Sequence, residues 1–270
     1  MTAPVSSTFA PDLLRGKVAL VTGGGTGIGR ATAMEMARLG ARTIIASRRM
    51  EHLEPTAAEL AAVAGADGVL NRTCDIREPA EVAALVDAAL SKFGRIDILV
   101  NNAGGQYPSP AELISTKGWD AVVRNNLSGT FFVTREVAAR AMIPARSGRI
   151  VNVIAQVFRG FPGMAHTGAA RAGVENLTMT LAIEWAQHKI NVNAVAPGVI
   201  RSSGTQKYPP ELLEIGRRTT PLRRFGTEDE VAAAIVYLVS PAAAFITGAT
   251  LAIDGGQRLW GESWPIPDPK

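Results

Sequence analysis

Chemistry in this chain starts at Thr22-Gly23-Gly24-Gly25-Thr26-Gly27-Ile28-Gly29, a glycine-rich stretch between the apolar run Val18-Ala19-Leu20-Val21 and a helix-forming run from Arg30 to Ala37. Strand, glycine loop and helix, in that order, present backbone amides and the positive end of a helix to a phosphate. Glycines 23, 27 and 29 let the backbone turn sharply and approach a ligand closely. Their spacing is Gly-x-x-x-Gly-x-Gly, whereas most dinucleotide sites read Gly-x-Gly-x-x-Gly. Glycine-rich turns also arise for packing alone, so the rest of the chain decides what this one does.

The elements that must position the loop are legible from periodicity. Apolar runs predict further strands at 42–46, 69–74, 96–100, 149–153, 190–195 and 250–253. Helical spacing predicts helices over 51–64, 82–93, 116–141, 166–187 and 227–239. Seven strands interleaved with helices imply an α/β fold, a parallel sheet covered on both faces. No linker or repeat divides residues 1–270, so one domain is expected. In such sheets a ligand sits beyond the carboxyl ends of the strands. Turn residues stand at that edge: Ser47-Arg48-Arg49, Asp75-Ile76, Asn101-Asn102-Ala103-Gly104 and Pro197-Gly198-Val199-Ile200. Any one is an ordinary turn; together they imply a dinucleotide site.

The end of the second strand carries the cofactor signal. NAD sites place a carboxylate there for the ribose hydroxyls, whereas this chain has Arg48 and Arg49. Two guanidiniums hold a 2′-phosphate with forked, charge-assisted hydrogen bonds, so the expected cofactor is NADP(H). A solvated helix start is the alternative for the pair. Composition adds exclusions. With 47% hydrophobic and 19% charged residues the chain has material for a sizeable core, and a net charge of +4 gives no argument for nucleic acid. No apolar run reaches the roughly 18 residues of a membrane span. The single cysteine, Cys74, rules out an internal disulfide and a cysteine-based metal site. With no signal-peptide pattern at Met1–Thr8, the expected location is cytoplasmic.

Thr22–Gly29, Asn101-Asn102-Ala103-Gly104, Asn126-Leu127-Ser128-Gly129, Pro197-Gly198 and Asp254-Gly255-Gly256 together resemble the short-chain dehydrogenase/reductase family over residues 12–258. The resemblance implies a Rossmann-type doubly wound sheet in the order 3-2-1-4-5-6-7 and a homotetramer built on the helices near 116–141 and 166–187. It implies cofactor contacts from Gly23, Thr26, Gly27, Ile28, Gly29, Ser47, Arg48, Arg49, Asp75, Ile76, Asn102, Ala103, Gly104, Arg171, Pro197, Gly198, Ile200 and Ser202. Asp75 takes the position that bonds the adenine amino group. It also stands three residues before Glu78, a capping-box spacing.

The family's catalytic set is a Ser, a Tyr-x-x-x-Lys and an Asn. Asn126 is kept. Thr167 falls at the Tyr position, Arg171 at the Lys position, and the Ser position on Ile154 or Ala155. Spacing of four keeps Thr167 and Arg171 on one helix face. Threonine is a poor proton source at neutral pH and arginine does not relay protons, which disfavours ordinary ketone reduction. Reduction of a conjugated double bond asks only for donors aimed at a thioester oxygen. Segments including Asn101–Gln106, His166–Gly173 and Ser240–Gly248 resemble the branch of peroxisomal trans-2-enoyl-CoA and 2,4-dienoyl-CoA reductases. That branch implies NADPH-dependent reduction of trans-2-enoyl-CoA in fatty acid metabolism.

Of three tyrosines, Tyr237 reads as core, Tyr107 as packing or substrate-facing, and Tyr208 as a catalytic candidate in a substrate lid over 201–226. His166 should point about 100° away from Thr167, as a cap or a support. The lid's Arg201, Lys207, Arg217, Arg218, Arg223 and Arg224 either select the phosphates of coenzyme A or form a solvated surface. The tail 257–270 carries Trp260 and Trp264, aromatic surface that packs on a neighbouring subunit or borders the acyl pocket. The other readings are an alcohol or 3-oxoacyl dehydrogenase with an atypical acid, and a cofactor-binding scaffold or sensor without catalysis.

Overall fold

A computed structural model describes residues 8–201 and 210–259. Strand β1, Val18–Thr22, leads through the glycine loop into helix α1, Gly27–Arg38. The alternation continues with β2 (Arg42–Ser47), α2 (Met50–Ala64), β3 (Val69–Thr73), α3 (Pro79–Phe93) and β4 (Ile98–Asn101). Then come α4 (Thr116–Val123), α5 (Gly129–Val137), α6 (Ile143–Ala145), β5 (Gly148–Val153), α7 (Ala165–Trp185) and β6 (Ile190–Pro197). The last elements are β7 (Ile200–Arg201), α8 (Pro210–Arg218), β8 (Gly226–Thr227), α9 (Glu228–Val239) and β9 (Thr250–Ile253).

Seven parallel strands pair in the order β3-β2-β1-β4-β5-β6-β9, the expected doubly wound sheet. Its two faces are read directly from β1. Ala19 and Val21 pack with α1, α2 and α9 through Met36, Leu53, Leu60 and Ile235. Val18 and Leu20 face the opposite way, onto α3, α5 and α7 through Leu85, Val133, Val137 and Leu181. All five β1 residues are buried, as a strand covered on both faces requires. The order reverses between β1 and β4, the point at which open α/β sheets bind ligands in the crevice beyond the strand ends.

Several expectations need correction. The helix expected over 116–141 is α4, α5 and α6 joined end to end by two π turns, Arg124–Ser128 and Ala138–Met142. The first has a side-chain cause: Asn126 Nδ2 donates to the Val122 carbonyl, and Thr130 Oγ1 to the Asn126 carbonyl, so side chains occupy positions of the ladder. Asp75 is not the cap of α3, which starts at Pro79 with Glu78 before it and no side-chain cap bond. Tyr237 is 39% exposed because the buried stripe of α9 is filled by Val231, Ile235, Val236 and Val239. A second small sheet, β7 with β8, had no sequence signal. Two-residue strands carry no periodicity. Among the described residues no helix is long and apolar enough to cross a membrane.

Candidate active site

The glycine loop folds as a cradle. Gly23 and Gly27 have φ of +64° and +59°, a region that a side chain disfavours. A Cβ on Gly29 would collide with the Gly23 carbonyl and with Asn102 Nδ2. Thr26, exposed, precedes the first turn of α1 without a side-chain cap bond, and that turn holds no acidic residue. The amides of Gly27, Ile28 and Gly29 are first-turn donors, which α-helical geometry leaves for an anion. Asn102 locks this loop to the end of β4 by donating from Nδ2 to the carbonyls of Thr22 (3.0 Å) and Gly23 (3.2 Å). Thr22 Oγ1 in turn accepts from the backbone N–H of both Asn102 and Ala103, at 3.1 Å each.

At the end of β2, Arg48 is exposed and forms no hydrogen bond or ion pair among the described residues. Arg49 is also exposed; it precedes α2, and its Nη1 lies 3.2 Å from Glu51 Oε1. Ser47 Oγ closes a local turn onto Arg49. After β3, Arg77 grips Asp75 through Nε (2.9 Å to Oδ1) and Nη2 (2.5 Å to Oδ2). This hydrogen bonding holds the Asp75 carboxyl below the usual carboxylate range. Ile76 is buried under α5, where only a glycine fits at 129. Gly198, after β6, is fixed by packing: a Cβ there would lie 2.9 Å from Asp254 Cα. Pro197 ends β6, and Ile200 is buried in β7.

Asn126 and Arg171 converge on the loop after β4. Asn126, fully buried in the first π turn, donates from Nδ2 to the Gly105 carbonyl (2.7 Å), and its Oδ1 accepts from the Gly105 N–H (3.2 Å). A Cβ on Gly104 would run into Arg171 Nη2 from one side and Asn126 Oδ1 from the other. Arg171 is 8% exposed and donates from Nη1 to the Val153 carbonyl at 3.0 Å, while its Nε has no partner among the described residues. Burial pushes its pKa down to about 10, leaving it a cation at neutral pH. One turn earlier, Thr167 is fully buried with Oγ1 3.3 Å from His166 Nδ1. The ring of Tyr107 stands edge-on to His166, centroids 4.6 Å apart. At the family's Ser position, Ile154 is core and Ala155 offers no hydroxyl.

Ser202, Tyr208 and Lys207 lie outside the described residues, as does the tail from Trp260 onward. Of the lid arginines, Arg217 is bound to Glu214 (2.9 and 2.6 Å) and Arg224 to Glu230 (2.9 and 2.6 Å), so carboxylates already offset part of that positive surface. Sequence reasoning missed the buried amide and hydroxyl chain beneath the site. Asn101 donates to Thr134 Oγ1 (2.7 Å) and Asn152 Oδ1 (2.8 Å), and Asn152 donates to Thr178 Oγ1 (2.9 Å). Its signal was available: asparagines inside apolar strands, and threonines on the covered faces of α5 and α7.

These residues fit a nicotinamide dinucleotide. The cradle at Gly23 and Gly29 admits only backbone, the α1 amides suit a pyrophosphate, and the partnerless Nε of buried Arg171 calls for an oxygen ligand. Among the described residues no group of three or more His, Cys, Asp or Glu side chains is placed to hold a metal.

Comparisons with known proteins agree with this geometry. The sequence profile described as Enoyl-(Acyl carrier protein) reductase matches residues 23–258. A peroxisomal 2,4-dienoyl-CoA reductase of Pongo abelii is 41% identical, over 93% of this chain and 87% of its own length. A probable 2,4-dienoyl-CoA reductase of Bacillus subtilis is 37% identical, over 90% of this chain and 97% of its own. Among solved structures, a citronellol catabolism dehydrogenase of Pseudomonas aeruginosa PAO1 superposes with a TM-score of 0.83 at 48% identity, covering 93% of this chain and 98% of that one. The chain belongs to the short-chain dehydrogenase/reductase family and is an oxidoreductase that works with a nicotinamide cofactor on a small-molecule substrate.

Proposed function

We propose that this protein reduces the 2,3 double bond of trans-2-enoyl-CoA with NADPH. The observation that carries the reading is the pair at 167 and 171. Buried Thr167 and the buried cation Arg171 stand where the family has a proton-donating Tyr and its Lys. A threonine hydroxyl and a guanidinium stabilise negative charge but do not deliver a proton at neutral pH. Hydride addition to the β-carbon of an enoyl thioester places charge on the thioester oxygen, and hydrogen-bond donors are what that step needs. The relatives named as dienoyl-CoA reductases support conjugated acyl-CoA chemistry. Arg48 and Arg49, exposed at the end of β2, support the 2′-phosphorylated cofactor.

When bound, the dihydronicotinamide supplies the hydride. In the same reading Arg171 directs its spare N–H groups to the nicotinamide ribose, and Asn126 holds the loop at Gly104 and Gly105 that borders the reacting atoms. Self-association fits the outer face of the long helices, where Leu127, Phe131, Phe132 and Leu177 line a shallow surface hollow of about 330 Å³. The test of function is NADPH oxidation by purified protein given trans-2-enoyl-CoA. Turnover of a 3-oxoacyl-CoA or simple ketone in its place would overturn the reading, and NADPH binding without turnover would favour a sensor.

A second reading has a specific observation behind it, the 48% identity to a chain named as a citronellol catabolism dehydrogenase. It makes the substrate a branched primary alcohol or its aldehyde. NADP+ reduction by citronellol, in the absence of enoyl-CoA turnover, would select it.

A further inference from the structure

His166 is fully buried, and its two ring nitrogens have opposite environments. Nδ1 accepts from the Thr167 backbone N–H at 2.8 Å, in a three-centre bond whose other acceptor is the Met164 carbonyl at 3.0 Å. A backbone N–H only donates, so a protonated Nδ1 would oppose donor to donor; Nδ1 therefore carries a lone pair and the ring proton is on Nε2. Among the described residues Nε2 is buried with no partner. A buried donor without an acceptor costs about 1–3 kcal/mol, so an orphan beside the site asks for a partner. Thr167 Oγ1, by contrast, already lies 3.3 Å from Nδ1. Of the two adjacent residues at the start of α7, the histidine is the one whose donor has no partner at all among the described residues, the Thr167 hydroxyl sharing the one Nδ1 lone pair with the backbone N–H.

We propose that His166 Nε2–H is the donor that meets the substrate oxygen on which charge develops during hydride addition, the task left open by the missing tyrosine. This rests on the reductase reading, and deepens it by moving the oxyanion contact from Thr167 to His166. The imidazole keeps its proton throughout. Two electrons arrive with the hydride at the β-carbon, the displaced π pair becomes the enolate held by Nε2–H, and water protonates the α-carbon. Access is through Tyr107. Its ring stands edge-on to His166 with centroids 4.6 Å apart, and the residue, 40% exposed, belongs to the loop after β4; in this proposal an acyl group reaches the imidazole by displacing it.

The test compares H166F, which keeps an aromatic ring under Tyr107, with H166Q, which restores an N–H donor, and T167V, which removes only the hydroxyl. H166F should slow single-turnover hydride transfer by about 10²–10³-fold with NADPH affinity held, H166Q should recover at least about tenfold of that, and T167V should lose less than about tenfold. The carbonyl stretch of a bound saturated acyl-CoA should shift to lower frequency in wild type and return in H166F. A rate in H166F close to wild type, or the large loss appearing in T167V, overturns the proposal. If H166F binds no NADPH, the carbonyl stretch in wild type against H166Q decides, and an unshifted wild-type carbonyl overturns it. Wild-type turnover separates this from the functional reading. If the substrate proves to be an aldehyde or ketone, the enoyl reading fails, and the same variants on that carbonyl still test His166. A protein that turns over neither removes both.

Discussion

Replacing Arg171 by methionine should make the protein without cofactor more stable and its complex with NADPH weaker. The guanidinium is almost fully buried and, among the described residues, faces no carboxylate partner and holds one hydrogen bond, to the Val153 carbonyl. Burial brings its pKa down to about 10, which sets about 3 kcal/mol against the charged form. Arg171 is charged in both folded and unfolded chains at neutral pH. The penalty is therefore present in full below the folded pKa, and is relieved only as pH rises above about 10, so a neutral-pH experiment reads all of it. Methionine fills similar volume without charge. Losing the charge-assisted bond to Val153 returns about 1.5–3 kcal/mol of the gain, leaving a net stabilisation of up to about 1.5 kcal/mol. At this chain length that is a rise of up to about 3 °C in Tm. Loss of charge-assisted bonds to a ribose, about 1.5–3 kcal/mol, weakens NADPH binding by about tenfold to a hundredfold. Thermal melts of the protein alone and a fluorescence titration with NADPH measure both. A variant that melts lower, or that binds NADPH as wild type does, would refute the argument that a buried cation is retained here for the cofactor.

Arg48 and Arg49 exchanged together for alanine should lower kcat/KM for NADPH by about 10²-fold or more and leave that for NADH within a few fold, since each guanidinium contributes about 1.5–3 kcal/mol to a phosphate contact. Equal losses with both cofactors would remove the 2′-phosphate assignment. Gly29 exchanged for alanine puts a methyl group against the Gly23 carbonyl, a backbone atom that cannot yield cheaply; NADPH binding should fall below detection and Tm should drop, with about 1–3 kcal/mol of strain. Phe131 exchanged for glutamate, on the hollow between α5 and α7, should convert an oligomer to smaller species in light scattering, and an unchanged mass would place self-association elsewhere.

How far the sequence spoke depended on whether a feature rests on pattern or on side-chain geometry. Val18–Val21 and the other strands announced themselves because the interior of a doubly wound sheet demands unbroken apolar runs, and the sheet order followed from the family motifs. Element ends moved by a few residues where the deciding interaction is not periodic: β4 starts at Ile98 although the apolar run begins at Ile96. The π turn at Arg124–Ser128 was invisible because its cause is one asparagine amide taking a carbonyl four residues back. The same limit applies to Asp75. Its distance from Glu78 matches a capping box, but Arg77, two residues away, offers a charged fork and takes the carboxylate first.

The two halves of the candidate site respond differently to substitution. The half proposed for the dinucleotide is built from backbone: positive-φ glycines, first-turn amides, carbonyls locked by Asn102 and the β4-loop amides locked by Thr22. Changing a side chain on α7 leaves those atoms where they are. The half that would meet substrate is built from side chains on the first two turns of α7, and the helix fixes only their directions. A chain can therefore exchange a tyrosine and lysine for Thr167 and Arg171 without losing the hydride-delivering scaffold, provided the new chemistry needs charge stabilisation and no strong acid. Buried donors without partners among the described residues, His166 Nε2 and Arg171 Nε, stand on the first two turns of α7 and have the polarity such chemistry requires. An active site converted back toward ketone reduction would need a proton source there. T167Y alone should fail to create one, because the position is fully enclosed and a phenol would displace His166 or Tyr107 before reaching the crevice. Ketone-reductase activity gained by T167Y with unchanged enoyl-CoA turnover would show that the enclosure yields, and that Thr167 faces substrate directly.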